Sequence, residues 1–304
     1  MPELLQIKKP RIKLPTGKTY NEVKRLVSTN RLNTICEEAK CPNLSECWSH
    51  GTATFLILGD TCTRYCSYCN VKTGKPGKVD LEEPKKVAEA VKKLNLKYVV
   101  ITSVTRDDLE DGGSSIYVEI VKEIKKQTNC SVELLIPDFK ILDKKKLNEN
   151  KLNVTALKTV VDGKPDVLAH NIEAVRRVFQ KVRPGGNYDV SLKLLKTIKE
   201  INPKLKTKSS IILGFDETLN EIKETMKDLR ENNVDFLTLG QYLQPSVKHV
   251  KIFKFYTIKE FEQLKKIGKE IGFKHVEAGP LVRSSYRADK LNSLINRKLF
   301  KQFS

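Results

Sequence analysis

From Thr52 onward the chain alternates between short, continuous apolar runs and amphipathic stretches. The apolar runs at 53–58, 97–103, 131–136, 166–170, 208–213 and 234–239, with a weaker one at 273–277, predict buried strands. Between them, apolar residues recur at helical spacing. Val87, Val91 and Leu94 share one face, Val190, Leu194, Ile198 and Ile201 another, and Leu219, Ile222, Met226 and Leu229 a third. Thr218 with Glu221, and Thr257 with Glu260, have the spacing of capping boxes, and Gly272 closes the helix that ends near Ile271. Strands alternating with helices predict parallel βαβ units. Six such units give an α/β fold, a partial (β/α)6 TIM-like barrel, whose chemistry is expected on the loops at the strand C-terminal ends.

Residues 1–50 do not follow this rhythm. Pro10, Pro15 and Gly17 suggest an extended arm, followed by a helical stretch with Tyr20, Val23, Leu26 and Val27 on one face. The expected organisation is an N-terminal extension over 1–50, the barrel over 51–280 and a C-terminal segment over 281–304, with both extensions covering the barrel mouth. At 304 residues the chain is long enough for one large α/β domain with extensions. It has no run of about 18 apolar residues, so a membrane partner is not expected. The first residues lack the continuous apolar core of a secretory signal, and Pro10 and Pro15 break any transit-like helix, so a cytoplasmic protein is expected. The formal net charge of +19 favours acidic partners. That charge is spread along the whole chain, as a lysine-rich composition alone would produce. No RNA-recognition or helix-turn-helix signature is visible, and nucleic acid is not expected as a partner.

Of the seven cysteines, six fall between positions 36 and 69. Cys62, Cys66 and Cys69 have the spacing C-x3-C-x2-C and sit in a loop just past the first buried strand. Three thiolates in a tight loop can hold three irons of a 4Fe–4S cluster and leave the fourth iron open to a ligand. A zinc site would want four ligands in two pairs, and a disulfide framework an even number in an oxidising compartment. Cys36, Cys41 and Cys47 form a second compact triplet with no fourth cysteine nearby, which points to a second metal or cluster site. Cys130 stands alone and reads as a small buried apolar residue. Gly112 and Gly113 follow the second strand, where paired glycines let backbone approach a ligand closely or simply make a tight turn. Asp107, Asp108 and Asp111 read as solvated loop charges.

The loop at 60–69 resembles that of the radical S-adenosylmethionine (SAM) enzymes. Together, both cysteine triplets and the segments ATFLILGDTCTRYCSYC (53–69), TSVTRDDLEDGG (102–113), DFLTLGQYLQPS (235–246) and GPLVRSSY (279–286) closely resemble the lipoyl synthase family, over about residues 20–290. The resemblance implies two 4Fe–4S clusters and SAM as cofactors. In that family the cluster on Cys62, Cys66 and Cys69 would cleave SAM to a 5′-deoxyadenosyl radical. Sulfur would then enter at C6 and C8 of an octanoyl chain held on a lysine of a lipoyl carrier protein, supplied by the cluster on Cys36, Cys41 and Cys47. The resemblance also implies a serine ligand from the RSSY segment, Ser285 with Ser284 as fallback, although a serine there also suits a helix cap. It places Gly112 and Gly113 against the SAM amino group. It places His170-Asn171 near the SAM ribose, with Asn171 the expected contact, and Arg183 at a carboxylate, either that of SAM or that of Glu173.

The partners implied are octanoylated carrier domains (2-oxoacid dehydrogenase E2 and glycine cleavage H protein), an electron donor such as ferredoxin or flavodoxin, and an iron–sulfur carrier protein. Asp216 stands where the family usually has glycine, which predicts a local change in loop conformation, and prolines often seen after His249 are missing. A radical SAM methylthiotransferase acting on tRNA would also use two clusters and suit the positive charge, but that family carries an RNA-binding domain after the barrel, and only a short tail follows residue 290 here. A non-enzymatic iron–sulfur carrier would need no barrel.

Overall fold

The computed structural model describes residues 18–50, 52–141 and 151–295. The arm expected around Pro10, Pro15 and Gly17 lies outside the described residues. Seven strands run parallel in chain order: β2 (Thr54–Ile57), β3 (Tyr98–Ser103), β4 (Ser131–Leu135), β5 (Val167–Ala169), β6 (Lys206–Leu213), β7 (Phe236–Gln241) and β8 (His275–Gly279). A two-residue strand, β1 (Asn33–Thr34), pairs antiparallel with β2 through Thr34 and Phe55. Among the described residues β1 and β8 do not pair, so the sheet curves as an open, partial barrel. The weak run at 273–277 therefore forms a seventh parallel strand. It registers Phe236 against His275 and Gly240 against Gly279. Its signal was weak because the strand is mostly half-exposed, with Val276 its one fully covered residue.

Helices α4 (Glu83–Lys93), α5 (Ser114–Gln127), α6 (Val154–Asp162), α7 (Arg176–Val182), α8 (Tyr188–Ile201), α9 (Leu219–Glu231) and α10 (Ile258–Ile271) follow the barrel strands. Three helices precede them, α1 (Lys18–Thr29), α2 (Ile35–Glu38) and α3 (Leu44–Ser49). Both expected capping boxes form, and Gly272 ends α10 at φ +103°, a conformation that glycine adopts without a Cβ penalty. The main core unites the helix-facing side of the sheet, such as Ile57 and Ile101, with helix residues such as Val87, Ile120 and Leu157. Tyr98, Val100, Val167 and Phe236 form a second, smaller core with Ala288 and Leu291. The chain after the RSSY segment thus leaves the barrel mouth. It runs toward the N-terminal ends of the strands, where Asn292 accepts from the Ser131 hydroxyl at 2.9 Å. The C-terminal segment meets both ends of the barrel rather than the mouth alone. The buried Lys208–Glu133 pair at 2.8 Å joins β6 to β4, and the Tyr98 hydroxyl donates to the same carboxylate.

The turn after β2 depends on a buried acid. Leu58 has φ +68°, and its N–H donates to Glu83 Oε2 at 2.8 Å. Burial pushes the Glu83 carboxyl up to about 7, against the pull of the Leu58 N–H. A carboxyl raised in the folded state favours folding when protonated, so its contribution is present below its unfolded value and is lost as pH rises through about 7. On acidification from about pH 8 to about pH 6, wild type should gain roughly 1 kcal/mol relative to Glu83→Gln. Denaturant unfolding of both at several pH values checks this; parallel curves would show that Glu83 is ionised when folded.

Candidate active site

The cysteine loop is built from backbone pairing. Thr61–Cys62 pairs in parallel with Lys72–Thr73, and Cys62 Sγ accepts from the N–H groups of Arg64 at 3.4 Å and Thr105 at 3.3 Å. The Ser67 N–H donates to Val182 O at 3.0 Å, which ties the loop to the end of α7. Below the loop, the Arg64 guanidinium forks onto Asp107, with both bonds at 2.8 Å, and donates to Asp138 Oδ2 at 2.7 Å. Asp107 follows β3 and Asp138 follows β4, so one arginine clamps the loop to the ends of two neighbouring strands. Burial raises the Asp138 carboxyl, but Arg64 and then Arg183 outweigh it and hold the group well below the usual carboxylate range.

A cavity of about 520 Å3 opens at the C-terminal ends of the strands, as a barrel predicts. Cys62, Cys66 and Cys69 line it together with Cys36 and Cys41. Leu56, Val104, Leu135, Ile136 and Ile212 give it an apolar wall. An adjoining cavity of about 40 Å3 is lined by Cys36, Cys41 and Cys47 and by Ser285. Thr34, whose hydroxyl accepts from Glu37 N–H, starts the helix that bears Cys36, and Cys47 sits in α3. The C-terminal segment is fastened over these cysteines. Asn43 donates to Leu281 O at 2.6 Å, the Tyr286 hydroxyl donates to Glu46 at 3.2 Å, and Arg287 pairs with Glu46 at 3.3 Å. Ser284 and Ser285 both face the large cavity, but of the two only Ser285 also lines the small one.

Burial pushes the Cys36 and Cys66 thiols up to about 11 and those of Cys47 and Cys69 up to about 12, and it raises Cys41 as well. Without a cation nearby these thiols stay protonated at neutral pH; as thiolates they need a positive partner. Among the described residues, no group of three or more His, Cys, Asp or Glu side chains could hold a single metal ion. Thiols spread around a cavity suit a cluster, which takes each ligand on a different iron.

Asn171 and Arg183 both reach the large cavity. Asn171 donates to Glu173 at 3.0 Å, while its Oδ1 is buried without a hydrogen-bond partner. Arg183 donates to the Asn171 carbonyl at 3.1 Å, lies 3.6 Å from Asp138, and its charge also acts on the buried Glu173 as expected. His170 also lines the large cavity, with its ring nitrogens held by Ile136 O and Ser191 Oγ.

Gly112 and Gly113, expected against the SAM amino group, lie in the turn before α5. Neither lines the large cavity. They sit at φ +60° and +87°, and a Cβ would meet Phe139 at 2.9 Å and Leu58 at 2.3 Å respectively. The turn they make is tightly packed, and the strand end that lines the cavity is Thr102-Ser103-Val104-Thr105. Of the aspartates read as solvated, Asp107 and Asp111 are half-buried and only Asp108 is exposed, and all three are engaged. Asp107 holds Arg64, Asp108 holds Arg106, and Asp111 accepts from the N–H groups of Gly113 and Ser115 at the start of α5. Arg64 and Asp138 were missed from sequence; an arginine between two loop cysteines, with aspartates just past the next two strands, was the available signal. Asp216 does sit at φ +81°, and its carboxylate lies 3.5 Å from Arg177.

Residues 56–229 match the radical SAM superfamily. The chain is 49% identical over 282 residues to the lipoyl synthase of Shouchella clausii (strain KSM-K16), covering 92% of this chain and 88% of that protein. It is 50% identical over 281 residues to the lipoyl synthase of Staphylococcus aureus (strain JH9), covering 92% and 89%. Among solved structures it is similar to methylornithine synthase, with a TM-score of 0.53 at 14% identity over 85% of this chain and 82% of that one. It is also similar to Streptococcus suis SuiB bound to S-adenosylmethionine, with a TM-score of 0.55 at 12% identity over 79% and 54%. The structural likenesses show the barrel alone, whereas the close relatives match nearly the whole length: this chain belongs to the lipoyl synthase family of the radical SAM superfamily.

Proposed function

We propose that this enzyme inserts two sulfur atoms, at C6 and C8, into an octanoyl group carried on a lysine of a lipoyl carrier domain, with both cysteine triplets as cluster ligands. The observation that carries this reading is that Cys62, Cys66 and Cys69 share one cavity of about 520 Å3 with Cys36 and Cys41, while Cys47 lines the small cavity adjoining it; the larger volume suits a small molecule together with the end of an acyl chain. Membership of the superfamily brings SAM and one 4Fe–4S cluster as cofactors, and the family brings a carrier-bound substrate and an electron donor. When bound, that cluster and SAM supply a radical able to take hydrogen from an unactivated C–H bond.

Cys62, Cys66 and Cys69 would hold the SAM-cleaving cluster. The unpartnered Oδ1 of Asn171 would accept from a ligand hydroxyl or amine, and Arg183 would attract the SAM carboxylate. Leu56, Val104, Leu135, Ile136 and Ile212 would hold the acyl chain and exclude water. Cys36, Cys41 and Cys47, with Ser285, would hold a second 4Fe–4S cluster that gives up the sulfur. The division at 50 and 280 would then separate the sulfur-donor ligands from the barrel. The carriers would be 2-oxoacid dehydrogenase E2 and glycine cleavage H protein. A ferredoxin or flavodoxin would reduce the enzyme, and an iron–sulfur carrier protein would restore the second cluster. Among the described residues no helix is long and apolar enough to cross a membrane, which agrees with a cytoplasmic place of action.

The test is anaerobic incubation of reconstituted enzyme with SAM, a reductant and an octanoyl-lysine peptide, followed by mass spectrometry. A peptide that gains two sulfurs supports the reading, and SAM cleavage with no sulfur gained rejects it. Ser285 gives a sharper check. An alkoxide is a harder and less well matched ligand for iron than a thiolate, so its bond opens more readily. Ser285→Cys should keep the second cluster assembled yet stop product formation. Iron content and product are measured beside wild type; full activity in both Ser285→Ala and Ser285→Cys would move the assignment to Ser284, where the same pair is made.

A further inference from the structure

The outer side of the cysteine loop carries an apolar surface that the reaction does not use. Tyr65 is 67% exposed, Val247 93% and Phe253 56%, and they stand among the few large apolar side chains left in solvent. They belong to one surface because their segments are tied together. The Val250 N–H donates to Ser67 O at 3.0 Å, His249 Nε2 meets Cys69 O at 3.0 Å, and the Ser67 hydroxyl donates to Lys181 O at 2.7 Å. The Lys181 ammonium stands 4.8 Å from the centre of the Phe253 ring. Lys181, Lys248 and Lys251 are exposed, and none has an ion-pair partner among the described residues. The nearby acids are already engaged: Glu260 pairs with Lys254, and Glu221 with Arg177. The surface therefore combines exposed aromatic and apolar side chains, cations without an ion-pair partner among the described residues, and direct hydrogen bonds to the backbone of the cysteine loop.

We infer that this face docks an acidic, flavin-bearing one-electron carrier, an inference that rests on the reading above in which the thiols of this loop hold the cluster to be reduced. Exposed lysines steer an acidic partner and fix its orientation. Tyr65 and Phe253 offer flat apolar rings to the exposed edge of a flavin, which an acidic rim alone would not require. Docking here brings the flavin against the loop from outside and leaves the cavity free for SAM and the acyl chain. One electron passes from the reduced flavin, which is oxidised by one electron, to the cluster on the loop, which is reduced by one; no bond forms or breaks at the surface.

The test compares reconstituted wild type with the triple variant Lys181→Glu, Lys248→Glu, Lys251→Glu. SAM cleavage is followed with the octanoyl-lysine peptide, so that no carrier domain takes part, and is driven by reduced flavodoxin, by reduced ferredoxin or by dithionite. Binding of oxidised flavodoxin is measured by calorimetry. The expected result is a loss of at least about tenfold in the flavodoxin-driven rate and in flavodoxin affinity. The dithionite-driven rate should stay within about twofold of wild type, and the flavodoxin-driven rate of wild type should fall as salt is raised. Unchanged flavodoxin binding in the variant overturns the inference, as does a wild-type flavodoxin-driven rate that ignores salt, a measurement that needs no variant to fold. An equal loss with ferredoxin overturns the flavin assignment. Failure of dithionite to drive SAM cleavage in wild type would instead sink the functional reading.

Discussion

Changing Cys36, Cys41 and Cys47 together to Ala should leave SAM cleavage intact and end sulfur insertion, whereas changing Cys62, Cys66 and Cys69 should end both. The two sets sit on separate pieces of chain, one in and between the short helices α2 and α3 and the other past β2, and Cys36 and Cys41 face Cys62, Cys66 and Cys69 across the cavity. Each can therefore be emptied without dismantling the other. The fold should tolerate either change, because a buried Cys to Ala removes one small atom and each loop keeps its backbone bonds. The measurements are iron content, methionine release from SAM, and lipoyl product by mass. Wild type should hold about eight irons and each variant about four. Lipoyl product from the variant lacking Cys36, Cys41 and Cys47 would end the case for a sacrificial sulfur source on those residues.

The legibility of this protein from sequence follows its physics closely. Strands covered on both faces tend to write themselves as apolar runs, so β2, β3, β4, β5 and β7 could be read directly, whereas β6 (KTKSSIIL) showed only its apolar second half. β8 could not be read as firmly, because it is mostly half-exposed. The pairing of β1 left no pattern at all in two residues, and the tail leaves too short a pattern to show that Ala288 and Leu291 close the second core. The cysteine triplets stood out because spacing is a local property of the chain, and the structure gathers them around the large cavity and the small one adjoining it. Ser285 was legible only through resemblance, since what brings it to Cys36, Cys41 and Cys47 is long-range contact, such as Asn43 to Leu281. A glycine pair past a strand serves ligand approach and tight packing equally well in sequence; the structure adds that a Cβ at Gly112 or Gly113 would meet Phe139 or Leu58. Asp216 was legible as an anomaly, and its positive φ agrees with the glycine usual at that place. Charges in loops misled most, because a buried arginine and a solvated one look alike in sequence.

Arg64 is where that oversight has its largest consequence, and Arg64→Met should lose the cysteine-loop cluster altogether. The guanidinium is 5% exposed and satisfies Asp107 with two parallel bonds and Asp138 with a third contact. Methionine fills much of the volume but leaves the buried Asp138 with only Arg183, at 3.6 Å. Removing one partner of a buried ion pair destabilises by about 3–5 kcal/mol, which for a domain of this size lowers Tm by roughly 5–10 °C. Arg64→Lys keeps the charge but cannot fork onto one carboxylate while bonding a second, so it should recover stability only in part. Adding Asp138→Asn to Arg64→Met removes the more deeply buried of the two carboxylates that lose Arg64 and should restore about 1–3 kcal/mol. It should not restore SAM cleavage, because the loop is still unclamped from β3 and β4. That separation marks Arg64 as a positioning residue rather than a generic stabiliser. Iron content, the electron paramagnetic resonance signal of the reduced protein and thermal unfolding read the two effects independently. If Arg64→Met holds as much iron as wild type and unfolds at the same temperature, the clamp does not position the loop.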